Sequence, residues 1–251
     1  MPIVTIALVL VNVVAYFLAI RHGGSFFGGP SSAVAVHYGA IPYELTHPGS
    51  ECGIVTQHTL QGVVHGVACQ GQAGVSGSPE AQPETWETVI SSMFLHGSFL
   101  HILGNMVFLA IFGPNVEDAM PRLLFLVFYL LAGLIALAAQ VAIDPGSTGP
   151  TLGASGAIAG VLGGYILLYP RARVLTLVFI VFFVTIIELP ALVLLGFWFL
   201  EQLYFGLAGL ANPIGGEGVA YFAHIGGFVF GLLTIRAFAR RAREPPRRSA
   251  A

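Results

Sequence analysis

The sequence predicts an all-α polytopic membrane protein, a bundle of six transmembrane helices. Three observations predict it. The 251 residues are 56% hydrophobic and only 9% charged, with a mean hydropathy of +0.84, where soluble domains carry about 25% charged residues. Apolar segments recur at 3–20, 89–112, 122–142, 154–169, 172–188, 189–208 and 218–239, and a crossing needs about 20 such residues. All ten basic residues are arginines, and six of them lie from Arg236 onward. A basic cluster beside a final apolar segment marks a cytoplasmic tail, here 240–251, under the positive-inside rule. In that position it reads as a topology anchor, not a nucleic-acid surface.

Segment 1–20 has an apolar core but no basic leading region and no small-residue cleavage site, so it reads as a first span. Residues 21–88 form a long loop with Gly, Pro and His, several turn signals and no periodicity. Both cysteines, Cys52 and Cys69, fall in that loop. An extracytoplasmic loop permits a disulfide, while spacing alone leaves the pairing open.

Seven apolar segments exceed six spans, and the chemistry chooses between the counts. Ser155 opens segment 154–169 and His224 lies in 218–239. If 172–188 crossed independently, the two would be separated by roughly 20 Å or more at about 1.5 Å per helical residue, with the arginine tail outside. If 172–208 crosses once, Ser155 and His224 share the outer side and nine of the ten arginines fall inside, Arg21 excepted. Pro190 then marks the start of the crossing helix, because the residue before a proline disfavours helix. Residues 172–188, rich in Val, Ile, Phe and Thr, become a non-spanning interfacial hairpin or re-entrant element.

Polar side chains in hydrocarbon are costly and usually pair or work. Ser155 sits in Gly153-Ala154-Ser155-Gly156, where Gly153 and Gly156 permit a tight turn and close backbone approach at a helix N-terminus. Exposed amides and the positive dipole end there suit a developing oxyanion. The competing reading makes Ser155 one more small residue on a packing ridge with Gly156, Gly160 and Gly164. The motif is not the Gly-x-Ser-x-Gly elbow of soluble hydrolases, since residue 157 is alanine. His224 shares its segment with Gly227 and Gly231, a close-packing spacing, and suits a general base; the plainer alternative is an interhelical hydrogen bond. No Asp or Glu is placed to orient it, so a Ser155–His224 dyad is expected rather than a triad.

His101 and Asn105, one helical turn apart, offer neutral donors to an oxyanion or else pair across helices. Glu117 and Asp118 are expected to cap helix ends or pair with Arg122. Glu188 and Glu201 complete the candidates, the latter as a gate or packing residue. Trp198, Phe197, Phe199, Tyr204 and Phe205 read as lipid-facing or interfacial. A metal site on His96, His101 and His224 lacks His-Glu-x-x-His and a neighbouring carboxylate base, so neither metal nor cofactor is expected.

Taken together, Met93-Phe94-Leu95-His96-Gly97-Ser98-Phe99-Leu100-His101-Ile102-Leu103-Gly104-Asn105, Phe112-Gly113-Pro114-Asn115-Val116-Glu117-Asp118, Gly153-Ala154-Ser155-Gly156-Ala157-Ile158-Ala159-Gly160 and Ala223-His224-Ile225-Gly226-Gly227 resemble the rhomboid family of intramembrane serine proteases, of bacterial type, over 87–236. The resemblance implies a six-helix core with Ser155 as nucleophile and His224 as base. It also implies an oxyanion hole of His101, Asn105 and the Ser155 amide, with His96 shaping it. Substrates would be single-span membrane proteins cut within the bilayer near the extracytoplasmic face, in a bacterial inner membrane. A loop at about 210–218, with its glycines and Pro213, would act as a lid. An aromatic that some relatives carry four residues after the nucleophile is Ala159 here, and a Trp-Arg pair of many relatives is matched only by Trp86-Glu87, out of register. Two rival functions stay open: a catalytically inactive helix-binding relative, and a transporter, although the chain shows none of the internal repeats typical of transporters.

Overall fold

Backbone groups in hydrocarbon need partners within their own segment, which helices supply. The computed structural model describes residues 1–59, 62–72, 83–180, 183–211 and 219–239. The chain starts with α1 (Ile3–Arg21), whose buried residues Thr5, Leu8, Asn12, Tyr16 and Ala19 recur every three or four positions along one face. A short pairing of β1 (Gly24–Ser25) with β2 (Gly29–Pro30) leads into α2 (Ser32–Tyr38), capped by the Ser31 hydroxyl, and α3 (Pro42–Thr46). An antiparallel hairpin of β3 (Cys52–Thr59) and β4 (Gly62–Cys69) follows, with Cys52 directly opposite Cys69 and the two joined in a disulfide. These elements replace the unbroken loop expected over residues 21–88.

After α4 (Thr85–Ser91) and a 3-10 turn at Ser92–Phe94, α5 runs Phe99–Asp118. This corrects the apolar segment at 89–112. Its first ten residues are a separate helix, a turn and a loop, because Ser98 adopts extended backbone and its hydroxyl accepts the His101 amide proton (3.2 Å), starting a new helix. The helix then continues through Pro114 to Asp118. Next come α6 (Arg122–Ile143), α7 (Ser155–Leu168), a hairpin of β5 (Arg173–Ile180) and β6 (Phe183–Pro190), α8 (Ala191–Ala211) and α9 (Tyr221–Phe238). Among the described residues α1, α5, α6, α8 and α9 are long and apolar enough to cross a membrane, and α7 is a shorter apolar helix. The molecule is a helical membrane bundle with β-hairpins between its helices, and Val174 of β5 joins the bundle core. The proposed lid from residue 212 onward and the arginine tail from Arg240 lie outside the described residues.

The bundle is assembled around α7, buried continuously from Gly156 to Ile166 and touched by α5, α6, α8 and α9. Its closest partner is α9. A β-carbon on Gly227 would land on the Gly156 carbonyl, one on Gly231 on the Gly160 carbonyl, and one on Gly163 on the Phe228 carbonyl. The register 156–227 and 160–231 advances in the same sense on both helices, so α7 and α9 run parallel. The segment between them therefore returns once, and α8, beginning directly after Pro190, makes that return. In the hairpin at 173–190, Arg173 and Glu188 form an exposed ion pair (3.2 Å).

Candidate active site

Parallel packing puts the N-terminal ends of α7 and α9 side by side, and Ser155 and His224 occupy those ends. Ser155 is the first residue of α7, and His224 lies in the first turn of α9, where the Ala223 amide donates to Gln140 Oε1 of α6 (3.3 Å). The Ser155 hydroxyl lies 2.7 Å from His224 Nε2. Residues 69 apart in sequence are thus joined by a single hydrogen bond.

The loop before Ser155 is fixed from two directions. The Gly153 amide donates to the Ser92 carbonyl (2.8 Å), and Ala40 and Thr151 exchange both backbone hydrogen bonds. Gly153 has φ +125°, a conformation that favours glycine. It is also sterically confined: a β-carbon there would sit 2.8 Å from His101 Nε2 and 3.6 Å from Ser155 Oγ. His101 and Ser155 therefore flank one small space over the Gly153 backbone. The Gly97 amide donates to His101 Nδ1 (3.4 Å), which leaves the imidazole proton on Nε2, the nitrogen facing that space. Asn105 is buried one turn below, and its side-chain nitrogen has no hydrogen-bond partner among the described residues. His96, wholly buried in the loop before α5, packs edge-to-face on His101 with ring centroids 5.1 Å apart. Gly156 faces Ala136 of α6, where a β-carbon would come within 2.6 Å.

Other expected roles are redistributed. Glu117 caps a helix, but a distant one: its side-chain oxygens accept the Val4 and Thr5 amides (3.0 and 2.8 Å) and the Thr5 hydroxyl (2.7 Å) at the start of α1. Glu201 is exposed on α8. Phe197, Tyr204 and Phe205 are exposed as expected, whereas Trp198 and Phe199 turn inward. Trp198 lies against His224 (centroids 5.8 Å) and Phe199 stacks on Phe228 (4.5 Å).

Sequence reasoning missed Gln202. It is buried in α8, one turn after Trp198, and its Oε1 lies 2.7 Å from His224 Nδ1. The available signal was a neutral polar residue inside an apolar span, spaced four from a tryptophan; the adjacent Glu201 drew attention instead.

The fold and site are those of a polytopic helical membrane protein with a serine–histidine pair at adjoining helix ends. Residues 83–241 match the Rhomboid domain, and the chain belongs to the rhomboid family. It is similar to Rhomboid protein 1, mitochondrial, of Saccharomyces cerevisiae, 35% identical over 156 residues covering 58% of this chain and 40% of that protein. It also resembles Presenilin-associated rhomboid-like protein A, mitochondrial, of Danio rerio, at 31% identity over 67% of this chain and 42% of the relative. A putative rhomboid protease of Bacillus subtilis is 32% identical over 81 residues, 32% of this chain and 40% of the relative. The chain spans about two-fifths of the length of these curated relatives.

Proposed function

We propose that this rhomboid-family membrane protein is an intramembrane serine endopeptidase that cuts single-span membrane proteins near the extracytoplasmic face. The observation that carries the reading is the 2.7 Å bond between Ser155 Oγ and His224 Nε2 at adjoining helix ends. In the proposed reaction, His224 Nε2 takes the hydroxyl proton as Oγ attacks the scissile carbonyl carbon. The negative charge that develops on the carbonyl oxygen is received by His101 Nε2–H, the Asn105 side-chain amide and the backbone amide of Ser155. Collapse expels the amine, which takes its proton from His224, and water then releases the acyl group by the reverse sequence. No cofactor or metal takes part, and neither nucleic acid nor any ligand beyond the bilayer and the substrate helix is required. Six crossings, including α7, with the arginine-rich end cytoplasmic, satisfy both the parallel α7–α9 packing and the arginine distribution.

The test incubates purified protein in detergent with a single-span reporter, beside Ser155→Ala and His224→Ala, and with a fluorophosphonate probe. Cleavage and probe labelling by the wild type, both lost in the two variants and unaffected by EDTA, are the expected result. Full cleavage by Ser155→Ala overturns the mechanism. A folded wild type that neither cleaves nor labels points to a non-catalytic helix-binding role.

A further inference from the structure

We infer that Gln202 is a positioning residue for the base, a neutral third member that selects the imidazole tautomer able to accept the serine proton; the inference rests on the protease reading above. Gln202 is only 6% exposed within a membrane span, where an unpaired amide is costly, and its oxygen faces His224 Nδ1 at 2.7 Å. A neutral imidazole carries one N–H and one lone pair. An amide oxygen only accepts, so the proton sits on Nδ1. The lone pair is then on Nε2, directed at the Ser155 hydroxyl 2.7 Å away. The opposite tautomer would turn an N–H toward the hydroxyl and leave no acceptor for its proton.

The same contact serves the next step. When Nε2 gains the serine proton, the Nδ1–H to Oε1 bond becomes charge-assisted and strengthens. The amide therefore favours the charged intermediate over the resting imidazole, the condition for accelerating chemistry rather than merely binding. Trp198, one turn earlier on α8, covers the imidazole and restricts its rotation about the side-chain bond. Two residues of a single helix thus hold the base from its far side. On this reading α8 becomes part of the catalytic apparatus.

The experiment compares wild type, Ser155→Ala, Gln202→Leu, Gln202→Met and Gln202→Glu for kcat and KM on the single-span reporter. It also measures fluorophosphonate labelling rates and the 15N imidazole signature of His224 in detergent. General-base alignment contributes about a hundredfold or more to such reactions, so Gln202→Leu and Gln202→Met are expected to lose roughly that factor in kcat and in labelling, with KM within about twofold. Gln202→Glu, which restores an acceptor, recovers most of the rate. Wild-type His224 shows the Nδ1–H signature, and the Leu and Met variants show a mixture. Wild-type kcat in a folded Gln202→Leu or Gln202→Met overturns the proposal. An Nε2–H tautomer in the wild type does so too, and needs no variant to fold. The parent reading fails separately, by cleavage in Ser155→Ala.

Discussion

Asn105 and Glu44 illustrate how one buried polar atom acquires a consequence. The Asn105 side-chain nitrogen is enclosed without a partner among the described residues, a cost that the oxyanion of the proposed reaction would offset. Asn105→Ala is expected to slow reporter cleavage about a hundred- to thousandfold while Ser155 and its backbone amide keep a residual rate; unchanged kcat would remove Asn105 from the proposed site. Glu44, in α3 outside the spans, accepts the Cys52 amide proton (2.7 Å). Burial pushes its carboxyl above the ordinary carboxylate value, with that hydrogen bond opposing and nearby Glu51 adding to the rise. A raised folded-state value stabilises the fold below the ordinary carboxylate range, and that contribution is lost as pH rises through the raised value. Thermal midpoints measured from about pH 4 to pH 8 should therefore fall more steeply with pH in the wild type than in Glu44→Gln. The same slope in both would place the titration elsewhere. Ser155, His224, His101 and Asn105 were legible because polar residues stand out in apolar spans. Gln202 was not, because its meaning depends on how α8 rotates against α9.

Helix pairing gives glycine its sharpest role. Gly156, Gly160 and Gly163 on α7 meet Gly227, Gly231 and Phe228 on α9 at backbone distance, and small residues are what permit such approach in membranes. Overpacking a tight interface costs about 1–3 kcal/mol, so Gly231→Ala should lower the thermal midpoint in detergent and also weaken cleavage, by moving His224 away from Ser155. An alanine variant with unaltered stability would mean that the helices sit further apart. The glycine spacing on both helices was readable from sequence; the parallel register was inferred only through the chemistry. Segment 172–188 was the hardest element to read. A hairpin apolar on both faces lacks the polar alternation that identifies a half-buried strand, so by composition it imitates a span. Only the diagonal ion pair of Arg173 with Glu188 across the strands betrays the pairing, and that contact is invisible until the register is known.

Across the whole molecule, the region between α1 and α4 acts as a brace for the loop that leads into Ser155. The Cys52–Cys69 bridge closes β3 on β4, Glu44 ties β3 to α3, and α3 holds residues 145–147: the Tyr43 amide donates to the Ser147 carbonyl (3.0 Å) and the Thr46 hydroxyl to the Pro145 carbonyl (2.8 Å). A crosslink over 17 residues is worth about 3 kcal/mol. Cys52→Ser with Cys69→Ser should thus lower the unfolding midpoint and make it insensitive to reductant, whereas the wild type becomes reductant-sensitive. Equal midpoints in all cases would show that the brace stands without the bridge.

Glu117 also bears on the order in which the protein comes into being. Chains are made from the N-terminus, so α1 is synthesised before α5, yet the side chain that closes its opening turn comes 112 to 113 residues after the amides it receives. Until the ribosome has delivered α5, those amides have no such partner, and α1 waits in the bilayer with an open end. Helix α1 is thus locked only once α5 has been made, and a nascent chain stalled between the two would present an unsecured α1 to whatever surveys unfinished membrane proteins.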